Sequence, residues 1–299
     1  MALSDNMRGA ALMTGAMVTF TINDAFTKSL GDVIPLSQLL FLRGIGVTLC
    51  LLVMARLLGQ LRFDLPRRDW GIMWLRAGGE IGGAYFFITA LFHMPIANVS
   101  AILQVLPLSV SLAGALFMGE ALGWRRLVAI LIGFGGVMLI VRPGGADFNA
   151  YSLYALASVA CVTMRDLVVR RLSPVVPSLM VSLIASVGIT AFAGVASLAE
   201  DWQPMTAWES ARLGGATVFV IFGYIFSVAA MRVGEIGFVA PFRYTSLLTA
   251  LLLGLLIFGE VPSALTLAGA GIVVATGIFT LLRERRLRLR RPVVPDRIR

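Results

Sequence analysis

The chain has 299 residues, 58% of them hydrophobic and only 14% charged, with a formal net charge of +9 and a mean hydropathy of +0.89. A soluble domain of this length carries about a quarter charged residues. The composition therefore argues against a soluble enzyme or nucleic-acid-binding module and places the chain in a lipid bilayer.

An apolar stretch of about 20 residues crosses a hydrocarbon core of about 30 Å. In chain order, such stretches are predicted at 9–30, 35–58, 70–92, 95–118, 124–141, 150–170, 176–198, 213–231, 236–258 and 263–282. The expected fold is all-α, an integral membrane protein of ten transmembrane helices. The connections are short and contain no long Pro/Ser-rich linker, so no separate soluble domain is expected. The first apolar run starts almost at once and is as long as the others, and so reads as a span rather than a cleavable signal.

Lys and Arg concentrate in cytoplasmic segments, which tests this topology. With the N-terminus inside, the inner segments hold Arg8, Arg56, Arg62, Arg67, Arg68, Arg125, Arg126, Arg170, Arg171, Arg232 and the arginines from Arg283 to Arg299, most of the 25 basic residues. The outer segments and span ends hold Lys28, Arg142 and Arg212, while Glu200, Asp201 and Glu209 lie between spans seven and eight. Both termini are predicted cytoplasmic. The basic tail 283–299 reads as a topology anchor that also touches anionic headgroups, with no nucleic acid as partner.

The two halves repeat at an offset of about 140 residues. TINDAFTKSL (21–30) aligns with TMRDLVVRRL (163–172), matching Asp24 to Asp166 and Lys28 to Arg170; ALFMGEAL around Glu120 aligns with LLIFGEVP around Glu260. Five spans per half is an odd number, so the second half must enter the membrane inverted. Such inverted repeats bind substrate near the midplane and rock around it. Residues 1–145 and 146–282 are the expected repeats.

On these features the chain resembles the drug/metabolite transporter superfamily, specifically its ten-span EamA-type members. The resemblance rests on the five-plus-five spans, the VRPGG junction (141–145) and the Gly-Glu pair closing the fourth span of each half. Asn23-Asp24 with Lys28, and Pro241-Phe242-Arg243-Tyr244, look more narrowly like bacterial S-adenosylmethionine uptake proteins. The resemblance implies a secondary active or facilitative transporter in a bacterial inner membrane, working by alternating access. Its members move amino acids, nucleotide sugars, vitamins, amines and drugs, inward or outward.

Ionisable side chains inside spans nominate the site. Asp24, Lys28, Arg43, Arg76, Glu80, Arg165, Asp166 and Arg243 each cost roughly 2.5 to 3.5 kcal/mol at a helix centre, so they are expected to pair or to face a wet cavity. Asp24–Lys28 and Arg76–Glu80 are spaced i, i+4 and share a helical face. Arg165 and Asp166 project about 100° apart and are expected to be poor direct partners. Arg43, Arg76 and Arg243 are candidates to orient an anionic group, and Asp24 and Glu80 to hold a cationic group or a coupling proton or Na⁺. Asn23, Arg165 and Asp166 complete the candidate substrate-binding or ion-coupling set. Gln104, Tyr85 and Tyr244 are candidates for shape and hydrogen bonding, with Phe86 and Phe87 beside Tyr85 as a stacking surface. Pro107 and Pro241 are expected to bend their spans. Gly78, Gly79, Gly82 and Gly83, with Gly133, Gly136, Gly269 and Gly277, are expected at close helix contacts. Glu120 and Glu260 are expected to serve helix ends rather than substrate.

Cys50, Cys161 and His93 form no recognised metal spacing, and no nucleotide or hydrolase motif occurs; neither a cofactor nor a metal is expected. Two substrate readings stay open. The excess of buried cations favours an organic anion or a vitamin, whereas the likeness to S-adenosylmethionine carriers points to a cationic, adenine-bearing ligand. A drug or amino-acid exporter of the same fold is the alternative within the class. A non-transporting integral membrane enzyme or structural subunit is the alternative outside it. The complete pair of repeats allows a monomer and leaves a homodimer open.

Overall fold

The computed structural model describes residues 4–120, 122–144 and 148–290. The expected repeat junction at 145/146 and the tail beyond residue 290 lie outside the described residues. Among those described, all regular structure is helical: α1 (Asp5–Lys28), α2 (Leu36–Leu57), α3 (Arg67–His93), α4 (Ile96–Leu103), α5 (Leu106–Met118), α6 (Trp124–Val141), α7 (Tyr151–Val169), α8 (Ser178–Ser197), α9 (Ala207–Val233), α10 (Ile236–Val239), a 3₁₀ segment (Ala240–Tyr244), α11 (Thr245–Phe258) and α12 (Ala264–Arg290). Eight stretches are long and apolar enough to cross a membrane. The long helices outside that set, α1 and α3, carry Asp24, Lys28, Arg76 and Glu80.

Local chemistry sets the helix ends. Pro35, Pro66, Pro95 and Pro177 immediately precede α2, α3, α4 and α8; a fixed φ and a missing N–H cost nothing where no intrahelical bond is required. Ser4 caps α1. Thr206 and Glu209 form a capping box on α9, satisfying two otherwise orphaned donors.

Two of the predicted continuous spans are broken. The stretch 95–118 divides into α4 and α5 at Gln104 and Val105, and 236–258 divides through the 3₁₀ segment. Pro107 and Pro241 lie just beyond or within these breaks, where each removes a donor and crowds the preceding turn. The Val105 N–H turns to the Ile102 carbonyl at 3.1 Å, a tightened turn that keeps the backbone satisfied inside an apolar medium.

The helices pack as α1 with α9, α2 with α8, α3 with α7 and α6 with α12, while α11 lies against α1 and α4, and α5 against α7. Small residues make the closest approaches. A Cβ on Gly136 would stand 2.8 Å from the Gly269 carbonyl oxygen, and one on Gly79 would stand 3.0 Å from Arg165 and Met164. Gly78, by contrast, has open space around it, so only part of the overlapping glycine pattern on α3 is an interface. Gly119 and Gly259 end α5 and α11 with φ of +67° and +64°. The following Glu120 and Glu260 N–H groups reach back to Gly114 and Gly254, the left-handed cap that glycine adopts without strain.

Candidate functional site

α2, α3, α8 and α9 enclose a cavity whose polar lining includes Arg43, Arg76, Glu80, Ser186 and Tyr224. Leu40, Val47 and Ile189 form part of its apolar wall. The cavity volume is about 70 Å³, room for only a few waters at about 10–15 Å³ each. A metabolite requires the helices or side chains to move.

The charges around this space are interlocked. Arg76 Nη2 lies 3.3 Å from Glu80 Oε2, the pair expected one turn apart on α3. From α7, Arg165 Nη1 reaches Glu80 Oε1 at 3.0 Å. The same guanidinium holds Asp166 through Nε and Nη2, both 2.9 Å from Oδ1. The 100° projection expectation therefore fails: it follows Cα–Cβ directions, and a long arginine side chain curls back around the helix to its neighbour. Across the cavity, Arg43 Nη1 donates to Asn23 Oδ1 at 3.2 Å and to Thr27 Oγ1 at 3.3 Å. Asn23 in turn donates to Asp24 at 2.9 Å. One buried donor, Arg76 Nη1, has no hydrogen-bond partner, and a buried charged donor left unmatched is costly.

Lys28 departs from its expected i, i+4 partner. Its ammonium pairs with Glu260 Oε1 at 2.9 Å, donates to the Leu91 and Met94 carbonyls, and lies 5.4 Å from the Phe258 ring centre. The physical reason is the close packing of α1 with α11, which brings an unmatched carboxylate beside Lys28. Glu260 also accepts from the Ile96 N–H at 2.8 Å and so caps α4. Glu120 pairs with Arg170 at 2.6 Å. Both glutamates thus act at helix ends.

Other nominated residues lie away from the cavity lining. Tyr85 sits on the exposed flank of α3, edge-on to Phe86, which meets Tyr154. Gln104 donates to Ser246 at 2.6 Å, tying together the two broken spans. Tyr244 is buried with its hydroxyl against Gly277 of α12. The Arg243 side chain is exposed and has no ion pair or side-chain hydrogen bond among the described residues. His93 stacks on Tyr151 at 3.9 Å at the end of α3. Cys50 and Cys161 are free thiols.

Sequence reasoning missed Tyr224, which lines the cavity with Arg43, Arg76 and Glu80 and meets Phe20 edge-on at 5.4 Å. A tyrosine in an apolar span carries no charge to announce it. Only the packing of α9 on α1, where Gly223 receives the Phe20 ring, brings its hydroxyl-bearing ring to the cavity.

Residues 7–142 and 149–282 each match the EamA-like transporter family. The S-adenosylmethionine uptake transporter of Rickettsia prowazekii (strain Madrid E) is 24% identical over 288 residues, covering 95% of this chain and 96% of its own. The pseudopaline exporter CntI of Pseudomonas aeruginosa (strain UCBPP-PA14) is 27% identical over 292 residues, covering 93% and 97%. The riboflavin transporter of Vibrio cholerae serotype O1 (strain ATCC 39315 / El Tor Inaba N16961) is 32% identical over 224 residues, covering 73% and 74%. A solved crystal structure aligns with a TM-score of 0.64 at 20% identity, over 93% of this chain and 98% of its own, and so shares the fold. The chain belongs to the EamA-like transporter family. It is a multi-pass membrane transporter of small metabolites, not an enzyme.

Proposed function

We propose that this transporter is a secondary carrier that moves a small polar or amphipathic metabolite by alternating access, with the charged layer around Arg43, Arg76 and Glu80 as its substrate site. Its two halves, 1–145 and 146–282, act as inverted five-helix repeats, with both termini on the cytoplasmic side of a bacterial inner membrane. The helix contacts support this reading. Exchanging each span for its equivalent in the other half turns the α1–α9 contact into α7–α3, and returns α2–α8 and α6–α12 to themselves.

The observation that carries the site assignment is the buried, unpartnered Arg76 Nη1 in a cavity shared with Arg43 and Glu80. A ligand carboxylate placed there gains charge-assisted hydrogen bonds from an arginine fork. Glu80 and Asp24 then face the ligand's cationic part or a coupling proton or Na⁺, while Arg165 and Asp166 hold Glu80 in place. A metabolite bearing both signs of charge fits better than a simple anion, because the six side chains Asp24, Arg43, Arg76, Glu80, Arg165 and Asp166 balance formally. The relatives named for S-adenosylmethionine uptake and pseudopaline export support this choice. Gln104 and Tyr244 act in this scheme at the broken spans, where the helices bend.

Thermal unfolding of the detergent-purified protein across S-adenosylmethionine, amino acids, riboflavin and organic anions tests the reading, followed by uptake of each stabilising compound into proteoliposomes. Selective binding to the native state raises the unfolding temperature. The expected result is stabilisation and saturable flux for a doubly charged metabolite, both lost in Glu80→Gln. Stabilisation by uncharged compounds alone, or binding without flux, overturns it; the preferred direction of flux separates importer from exporter.

A further inference from the structure

Two ion pairs occupy equivalent positions in the halves yet differ in their surroundings. Lys28 aligns with Arg170, and Glu260 with Glu120. Each pair ties the first span of one half to the fourth span of the other: Lys28 of α1 to Glu260 after α11, and Arg170 after α7 to Glu120 after α5. They lie at opposite ends of the broken rod Ile96–Met118. Glu260 caps the first residue of that rod, and Glu120 follows its last by two. At 1.5 Å per residue, a rod of 23 residues separates them by roughly 35 Å.

The Lys28–Glu260 pair is closed. Its side chains are 11% and 16% exposed, and every remaining contact reinforces the seal: two backbone carbonyls on Lys28, the Ile96 N–H on Glu260 and the Phe258 ring. The Glu120–Arg170 pair is 42% and 40% exposed. Among the described residues it has no comparable set of side-chain and capping contacts. The repeated pair thus appears in two environments within one molecule, made at both ends but enclosed at one and half exposed at the other.

We propose that these two pairs are the reciprocal gates of the carrier. Lys28–Glu260 seals the outer end in the conformation seen here. When it parts, Glu120–Arg170 acquires the enclosed arrangement now held by its counterpart, sealing the inner end. This inference rests on the alternating-access reading and adds the residues that perform the switch. The gates are separate from the substrate cluster, since neither pair lines the cavity. Removing either pair therefore shifts the balance of conformations toward opening at that end, because each pair is worth more in the state that encloses it than in the state that leaves it half exposed.

The test requires no substrate. In protein carrying Cys50→Ser and Cys161→Ser, Ser186→Cys places one thiol in the cavity. A membrane-impermeant maleimide is applied from the outer or the inner face of oriented vesicles, and the two labelling rates are compared. Lys28→Gln is expected to raise the outer-to-inner labelling ratio about tenfold, the shift that follows from losing an ion pair that is enclosed in one state only. Glu120→Gln is expected to lower the same ratio by about threefold, less because that pair is half exposed. Shifts of the same sign in Lys28→Gln and Glu120→Gln, or no shift in either, overturn the proposal. If Lys28→Gln fails to fold, Glu120→Gln alone decides: an unchanged or raised ratio refutes the gate. Opposed shifts without flux of any compound in the panel would sink the substrate reading and leave the gates standing; specific flux without opposed shifts would do the reverse.

Discussion

The charged cavity and the α6–α12 contact solve opposite problems in the same solvent. Around the cavity, long side chains from α1, α2, α3 and α7 hold charge within predicted spans, and the charges are kept there by one another. Between α6 and α12 the packing instead brings backbones together at Gly136 and Gly269, with Val137, Ile140 and Val273 buried around them. Lipid tails are as apolar as the helix sides, so hydrophobic burial does little to join helices within a bilayer. Close van der Waals packing therefore holds the scaffold together, and charges persist inside the spans where they pair with one another. The lesson is that substitutions in the two regions should fail differently, by lost transport in one and lost stability in the other.

The sharpest way to break that contrast is Glu80→Gln. It removes the carboxylate shared by Arg76 and Arg165, so saturable uptake into proteoliposomes should fall by roughly 100-fold, matching the cost of leaving a buried charge without its partner. Gel filtration of the same protein should show the parent's monodisperse profile. An uptake rate near that of the parent would remove Glu80 from the site.

Gly136→Leu should do the reverse. A side chain driven into the Gly269 carbonyl and Ile272 should destabilise by about 1–3 kcal/mol, as overpacking does, read as a lowered unfolding temperature in detergent. The adjacent Gly135 has nothing within 4 Å of an added Cβ, so Gly135→Leu should leave that temperature unchanged. Equal losses in the two variants would mean that packing at α12 is not what Gly136 provides.

Smaller effects sharpen the boundary of the site. Tyr224→Phe keeps the ring against Phe20 and removes only the hydroxyl; it should weaken substrate affinity several-fold, about the worth of one hydrogen bond near 1 kcal/mol, in a KM measurement. Arg243→Ala removes an exposed cation that has no ion pair among the described residues; inside a predicted span such a charge faces water, and its loss should weaken uptake several-fold. A collapse of uptake in Arg243→Ala would extend the site to the broken ninth span.

Much of the architecture was legible in the residues. The long apolar stretches, the glycine-glutamate helix ends and the Arg76–Glu80 pair follow from transfer cost and 3.6-residue periodicity, which act within one segment at a time. The helix breaks were legible as far as Pro107 and Pro241 marked their neighbourhood. The site was legible as a set of charges without its wiring. Lys28 chose Glu260 over Asp24, and Arg165 took both Glu80 and Asp166, because the packing of α1 on α11 and of α3 on α7 decides which carboxylates come within reach. Tyr224 joined the cavity, while Tyr85 and Tyr244 turned to other faces.

By itself, then, the sequence determined that this chain is a duplicated membrane protein whose polar side chains must find partners inside it. Segment length and the cost of burying charge are enough for that. Only the tertiary structure decided which partners they found and how deeply each pair is enclosed. An ion pair between helices depends on the faces that packing brings together, and no single helix carries that information.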